Sequence, residues 1–283
     1  MRRSLAILAL SALAAFPMAS WAQTAPLEPL YPASQADNNA ATDETPSAWF
    51  VELQGAPVAD GGTAAALAQE KKAFRAAAGK AGIKLKERFA YDQLWNGLSV
   101  VVDQAGLAKL SRMAEVKSLY PVVSLSLPET APDPAPELAT AVTMTQADIA
   151  QNELGLSGHG IRVAIMDTGV DYDHPDLGGC FGPGCRVEIG HDFVGNAYNN
   201  DAASPTYNPI PTPDPLPDDC NGHGTHVAGI VGANGGVKGA APGVTYGAYR
   251  VFGCEGSTST DIMVAAMERI YEDGADVVNI SIG

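Results

Sequence analysis

The sequence predicts two successive bodies, a small α+β body followed by a larger α/β body built on a parallel sheet. Residues 49–127 show strand and helix patterns in the order β-α-β-β-α-β, whereas from residue 143 onward apolar strands alternate with helices. The charge changes at the same place, because residues 1–127 carry 12 Lys and Arg against 11 Asp and Glu, while residues 128–283 carry 5 against 21. The two parts are therefore expected to have different roles.

The first 47 residues are expected to precede the folded chain. Residues 1–22 have the pattern of an export signal, with Arg2 and Arg3 before an apolar run and small residues, Ser20 and Ala22, at the cleavage positions. That run is too short to cross a bilayer, and no later stretch is long and apolar enough to do so. Residues 23–47, rich in Pro, Ala, Asn and Asp, are predicted to be a flexible leader. We therefore expect a secreted protein without a membrane span.

Residues 48–127 are predicted to form a ferredoxin-like α+β sandwich. The patterns place strands at 49–53, 83–91, 98–102 and 116–127, the last interrupted by Pro121, and helices at 63–78 and 104–113. Residues 128–145 begin with alternating Pro, small and acidic residues, which predicts a linker accessible to proteolytic processing.

Residues 146–283 are predicted to form part of a doubly wound parallel sheet. Strands are expected at 161–166, 186–193, 245–252 and 276–283, with helices at 223–233 and 262–273. Asp261 is expected to cap the second helix. Residues 196–219 form a Pro-, Asn- and Asp-rich loop that is too irregular for the core.

All four cysteines lie in the second part of the chain. An even number in an exported protein favours disulfides, and four cysteines allow three pairings. Cys180 and Cys185 enclose a tight loop that could close locally, which would leave Cys220 with Cys254. A zinc site is the alternative, although these spacings do not resemble paired C-x-x-C motifs.

Asp167 and His223 are the candidate catalytic residues. Asp167 ends a short apolar run at a Gly-bounded turn, and His223 stands at the entry of a helix of small residues. An acid that orients an imidazole, which then takes a proton from a hydroxyl, makes up two thirds of a nucleophilic triad. Taken alone, Asp167 is better explained as a turn residue at the end of a strand.

Five motifs occur in one order along the chain: Asp167-Thr168-Gly169, His174-Pro175-Asp176-Leu177, residues 222–229 (Gly-His-Gly-Thr-His-Val-Ala-Gly), Gly239-Ala240-Ala241-Pro242 and Asn279-Ile280-Ser281-Ile282-Gly283. In this order the chain resembles the subtilisin-like serine proteases (subtilases, peptidase S8 family) over residues 49–283. The Pro-rich loop and the paired cysteines resemble the large secreted bacterial subtilases of the minor extracellular protease type.

The resemblance implies a role for each matching segment. Asp167 would be the orienting acid, His223 the general base, and residues 48–127 an inhibitor-I9-like propeptide that is this protein's own partner. Two backbone segments would pair with an extended polypeptide substrate: Gly256, Ser257, Thr258 and Ser281, Ile282, Gly283. His226 would pack beneath the site as a structural residue. His159 and His191 match no motif and are expected at the surface or in loops, and His174 is given no chemistry.

Few other partners are expected. The chemistry needs no cofactor, and Asp176 is a doubtful calcium ligand because Ca²⁺ takes about six to eight oxygens. Structural calcium is therefore possible but unsupported. A net charge of −15 argues against a nucleic-acid partner.

The family's nucleophile is the open question. It lies in a Gly-Thr-Ser-Met-type segment downstream of the histidine, with an oxyanion Asn in between, and the sequence contains neither. We therefore expect a truncated or partial chain that is inactive alone. Two alternatives stay open. Residues 49–127, with 10 Lys and Arg against 7 Asp and Glu, could act in trans as an inhibitor or folding helper of a related protease. The chain could also be a non-catalytic peptide binder.

Overall fold

A computed structural model describes residues 46, 48–126 and 138–282. The predicted export signal, nearly all of the predicted leader, much of the predicted linker and Gly283 lie outside the described residues.

The first body is a four-stranded antiparallel sheet with two helices. Its elements are β1 (Ala48–Leu53), α1 (Ala64–Lys80), β2 (Leu85–Tyr91), β3 (Gly97–Val102), α2 (Gln104–Leu110) and β4 (Val116–Pro121). The sheet order β2-β3-β1-β4 is that of a ferredoxin-like sandwich, as predicted. Thr63 and Asp103 cap the two helices, since each side chain accepts a hydrogen bond from a backbone amide in the first turn. Phe74 of α1 and Leu110 of α2 are fully buried against the sheet.

The last predicted strand of this body is two strands. After β4 the chain turns, and β5 (Ser124–Ser126) pairs antiparallel with β9 (Ser257–Ser259) of the second body. Pro121 has no N–H to continue the ladder, and Val122 donates instead to the Ala48 carbonyl at 2.9 Å. The interruption predicted at Pro121 is therefore present, but it separates two strands rather than interrupting one, and β5 belongs to a sheet shared by both bodies.

The second body contains a four-stranded parallel sheet. Its elements are α3 (Leu138–Met144), α4 (Ala147–Asn152), β6 (Arg162–Asp167), β7 (Val187–Asp192), α5 (His223–Gly232), β8 (Thr245–Arg250), β9, α6 (Thr260–Glu272) and β10 (Val277–Asn279). The sheet order is β10-β6-β8-β7, and all three pairings are parallel.

Helices cover both faces of this parallel sheet. Val163 and Ile165 of β6 pack in one core with Val227 of α5. The alternate residues of β6, Ala164 and Met166, pack in a second core with α6. Because successive strand residues point to opposite faces, α5 and α6 lie on opposite sides, and the predicted doubly wound arrangement is confirmed.

Three local predictions differ from the structure. The strand expected at 276–283 is limited, among the described residues, to β10. Residues 128–145 were expected to be a linker, but part of this segment forms helix α3 (Leu138–Met144). Ser259, not Asp261, is at the N-cap position of α6, because the helix begins at Thr260, two residues before the predicted start. The buried Asp261 carboxylate accepts hydrogen bonds from the Ile262 amide at 3.0 Å and from Arg88 Nε at 2.5 Å.

Two disulfides join the four cysteines. Cys180 is bonded to Cys185, and Cys220 is bonded to Cys254. The second bond connects the loop before α5 with the loop before β9. Within the described ranges, no helix has the length and apolar character needed to traverse a bilayer.

Candidate active site

Asp167 and His223 meet at the carboxyl edge of the parallel sheet. Asp167 is the last residue of β6, and His223 is the first residue of α5. His223 Nδ1 lies 2.7 Å from Asp167 Oδ1. The Asp167 side chain is fully buried and that of His223 is 14% exposed, so one side of the ring remains accessible.

Glycines let the helix approach the strand end this closely. Gly169 turns the chain out of β6 with a φ of 111°. A Cβ on Gly224 would lie 2.1 Å from the Gly169 carbonyl oxygen, which no other residue could accommodate without displacing the backbone. The Gly-bounded turn and the Gly after His223 therefore bring the acid and the base together.

Burial dominates the electrostatics of Asp167. It raises the pKa of this carboxyl above its ordinary value, whereas hydrogen bonds from His223 and from the Thr168 amide act in the opposite direction. Oδ1 accepts from the Thr168 amide at 2.7 Å, and Oδ2 has no hydrogen-bond partner among the described residues. The carboxylate is thus committed to His223 through one oxygen.

Asp219 organises the loop that delivers His223. Its carboxylate accepts hydrogen bonds from the amides of Asn221, Gly222 and Thr225 and from the Thr225 and Thr168 hydroxyls. Burial acts to raise the pKa of Asp219, but these hydrogen bonds outweigh it and the net pKa is lowered. Asp219 is not among the predicted site residues. Its position four residues before His223, ahead of a Gly-containing turn, was the available signal.

The two predicted substrate-binding segments differ in the structure. Ser257 and Thr258 belong to β9 and pair with Ser126 and Leu125 of β5. Gly256 precedes β9 with a φ of 95°. The second segment pairs with no described strand; Ser281 Oγ donates to Asn279 Oδ1, Ile282 packs against the α6 core, and Gly283 lies outside the described residues.

The remaining histidines lie away from the Asp167–His223 pair's contacts. His226 is exposed, so the expectation that it packs beneath the site was wrong: the buried positions of α5 are Gly224, Val227, Ala228 and Gly232. His174 Nδ1 accepts from the Asp176 amide at 3.2 Å. His191 lies half-buried in β7 against Phe193, where burial lowers its pKa, rather than at the surface.

The Asp176 carboxylate binds the backbone of a nearby loop. Its two carboxylate oxygens accept from the amides of Gly236 and Val237 at 2.8 and 2.9 Å, and these bonds lower its pKa. No group of three or more His, Cys, Asp or Glu side chains suited to a metal ion occurs in the described part of the chain. The geometry assigns Asp176 to holding the 235–237 turn.

His223 has an acid partner but no nucleophile among its contacts. Within residues 48–126 and 138–282, no serine hydroxyl forms a hydrogen bond with His223. The arrangement can therefore orient an imidazole and accept a proton on its exposed side.

Comparison with known proteins identifies related chains. Residues 158–283 match the family model described as the subtilase family, Peptidase_S8. The minor extracellular protease Vpr of Bacillus subtilis is 40% identical over 200 residues, which is 68% of this chain and 23% of that protein. The nisin leader peptide-processing serine protease of Lactococcus lactis is 37% identical over 44% of this chain and 17% of that protein. The chain thus spans less than a quarter of the length of these curated relatives.

A solved structure shares the fold. The epidermin leader peptide processing serine protease of Staphylococcus aureus, in a mutant form, superimposes with a TM-score of 0.57 at 20% identity. The match covers 84% of this chain and 50% of that one.

Proposed function

Residues 158–283 match the subtilase family model, and from this premise we propose that the protein is a serine endopeptidase in which His223 is the general base. The observation that carries the proposal is the 2.7 Å contact between His223 Nδ1 and the buried Asp167 carboxylate. Asp167 holds the proton on Nδ1, so that Nε2 is free to take a proton from a serine hydroxyl. The serine oxygen then attacks a peptide carbonyl and forms an acyl-enzyme.

Among the described residues, no serine hydroxyl lies within hydrogen-bond distance of His223. We infer that the 283-residue chain does not turn over by itself, because a base without a hydroxyl to deprotonate completes no acyl transfer.

Two experiments test the proposal. The protein expressed from its entire reading frame should hydrolyse casein, and His223→Ala should lower kcat/KM by about 10⁴-fold or more. His226→Ala is the matched control, because that exposed histidine lies on the same helix without contacting Asp167. If the His223→Ala variant were as active as the wild type, His223 could not be the general base. Casein cleavage by the purified 283-residue chain, blocked by a serine-directed phosphonate, would show that the chain already holds a nucleophile.

Substrates are proposed to bind as extended strands along β9. The pairing of β5 with β9 is the supporting observation, since it shows that Ser257–Ser259 accept an antiparallel partner. We propose that Ser281–Gly283 supply the second edge of the same groove.

The first body is proposed to be an inhibitory propeptide. Besides the β5–β9 pairing, its Tyr91 hydroxyl donates to the Asp261 carbonyl at 2.8 Å, and Arg88 pairs with the Asp261 carboxylate. Glu268 of α6 accepts from four successive backbone amides, those of residues 92–95, at 2.7 to 3.2 Å. Because β5 pairs with the edge of β9, a substrate strand cannot pair with the same edge at the same time.

The alternative that this body acts in trans has a direct test. Residues 48–128 should inhibit an intact subtilase at nanomolar concentration, and Arg88→Ala should weaken inhibition. Arg75→Ala is the control, because Arg75 pairs with Glu87 inside the first body. Absence of inhibition at micromolar concentration would exclude a trans role.

Export is proposed on the sequence of residues 1–22 and on the extracellular location stated in the name of the Bacillus subtilis relative. Residues 128–145 remain the proposed processing region. Cleavage would be checked by the N-terminal sequence of the protein recovered from the medium.

A further inference from the structure

The long loop of residues 196–219 is attached to β9 by two adjacent asparagines. Asn199, which is 2% exposed, accepts from the Ser257 amide at 3.4 Å through Oδ1 and donates to Ser204 and Thr206 through Nδ2. The Asn200 amide donates to the Ser257 carbonyl at 3.3 Å. These bonds place the Asn200 side chain beside the strand that occupies β9.

The Asn200 side chain contacts the occupying strand directly. Its Nδ2 donates to Ser124 Oγ at 3.1 Å. The same hydroxyl lies 3.3 Å from Ser257 Oγ and 3.2 Å from the Thr258 carbonyl oxygen, to either of which it can donate. Ser257 is 2% exposed, so its hydroxyl is buried where β5 and β9 meet. A hydroxyl at this position therefore meets one donor and two acceptors.

The occupying strand runs from this position toward His223. Ser124 pairs with Ser259 and Ser126 pairs with Ser257, so β5 runs antiparallel to β9, toward the end of β9 that follows Gly256 and Cys254 in the chain. The Cys254 carbonyl accepts from the side chain of Asn221, two residues before His223. A polypeptide bound as β5 is bound thus passes the Asn200 position before it reaches the general base.

We propose that Asn200, Ser257 and the Thr258 carbonyl form a subsite that selects Ser or Thr at the Ser124 position of an extended polypeptide on β9. Asn200 is its specificity-determining residue. That a substrate binds here rests on the proposed function. The subsite itself would recognise any strand that pairs with β9, including β5. The loop of residues 196–219 then has a role in recognition.

Amide hydrogen exchange of β5 and β9 in the whole 283-residue chain tests the subsite without catalysis. Ser124→Thr keeps the hydroxyl and should keep the wild-type protection. Valine has the shape and strand propensity of threonine but lacks the hydroxyl. Ser124→Val should therefore speed amide exchange in β5 and β9 by about threefold to tenfold relative to wild type. Asn200→Ala should speed exchange as well, and the double variant with Ser124→Val should exchange no faster than Ser124→Val alone.

Two matched controls accompany these variants. Ser126 is exposed on the same strand and forms no side-chain hydrogen bond with a described residue, and Asn208 bonds only within its own loop. Ser126→Val and Asn208→Ala should change exchange by less than about twofold. Equal effects of Ser124→Thr and Ser124→Val, or multiplicative effects of Ser124→Val and Asn200→Ala, would overturn the proposal.

Peptide cleavage by the protein from its entire reading frame adds the substrate readout. Peptides with Thr at this position should be cut with higher kcat/KM than those with Val, and Asn200→Ala should remove the difference. If exchange shows the hydroxyl preference but no peptide is cut, the subsite stands and the protease proposal fails. If peptides are cut without the preference, the subsite fails and the protease proposal stands.

Discussion

Removal of the Cys220–Cys254 disulfide should destabilise the chain more than removal of Cys180–Cys185. The two bonds close loops of very different size, with sequence separations of 34 and 5 residues. The perturbation is replacement of both cysteines of one bond by Ser, and the Cys180/Cys185 double variant is the matched control.

Loop entropy sets the expected magnitudes. The chain-entropy relation gives ~3.8 kcal/mol at 25 °C for a separation of 34 and ~2.1 kcal/mol for a separation of 5. The first variant should therefore lose about 1.7 kcal/mol more of the free energy of unfolding than the second.

The Cys220–Cys254 bond also has a polar neighbour. Arg250, which is 2% exposed, places Nη2 at 2.9 Å from Cys220 Sγ and 3.5 Å from Cys254 Sγ. Ser hydroxyls can replace the sulfurs as acceptors, but Ala cannot. Replacement by Ala should therefore cost a further ~1–3 kcal/mol relative to Ser, because a buried N–H loses its partner.

Urea unfolding, followed by circular dichroism and tryptophan fluorescence, measures these differences. Coincident transitions by the two probes are required before free energies are compared. An equal or larger loss for the Cys180/Cys185 variant would refute the loop-entropy reasoning. An Ala variant as stable as the Ser variant would refute the role assigned to the Arg250 contact.

Three further predictions concern the site. Asp219→Asn should destabilise the chain at pH 7, and the difference in unfolding free energy from wild type should shrink as pH falls below the ordinary aspartate pKa of 3.8. The reason is that a group whose pKa is lowered on folding contributes its stability only while it is ionised. Urea titrations from pH 3 to 7 check this. Asp167→Asn should lower kcat by about 10⁴-fold in the protein from its entire reading frame, since an amide no longer holds the His223 tautomer; an unchanged kcat would contradict its orienting role. Gly256→Ala should cost ~1–3 kcal/mol and speed exchange in β9, because its φ is 95° and the new Cβ would lie 2.1 Å from Asn199 Oδ1, whereas Gly61→Ala, at a φ of 94° with open space, isolates the cost of the dihedral alone.

Several features lay beyond what sequence patterns can express. Asp261 looks like a helix cap because it precedes an apolar periodic run, but its carboxylate is held by Arg88, 173 residues earlier. His226 was placed beneath the site by its distance from His223, yet burial on α5 depends on which helix face meets the sheet. The break of the last predicted strand into β4 and β5 likewise depends on a partner strand more than 130 residues away.

The sequence by itself determined the ferredoxin-like and parallel-sheet bodies with their principal strands and helices, apart from α3 and α4, and the Asp167 and His223 pair. Apolar periodicity, Gly-bounded turns and the ordered motifs are local, so they can be read without coordinates. Only the tertiary structure decided that β5 lies on β9, that Asp219 accepts a hydrogen bond from Thr168, and that Asn200 faces Ser124. These contacts join residues far apart in the chain, and polar side chains at such positions acquire their partners only when the packed sheet brings them within hydrogen-bond distance.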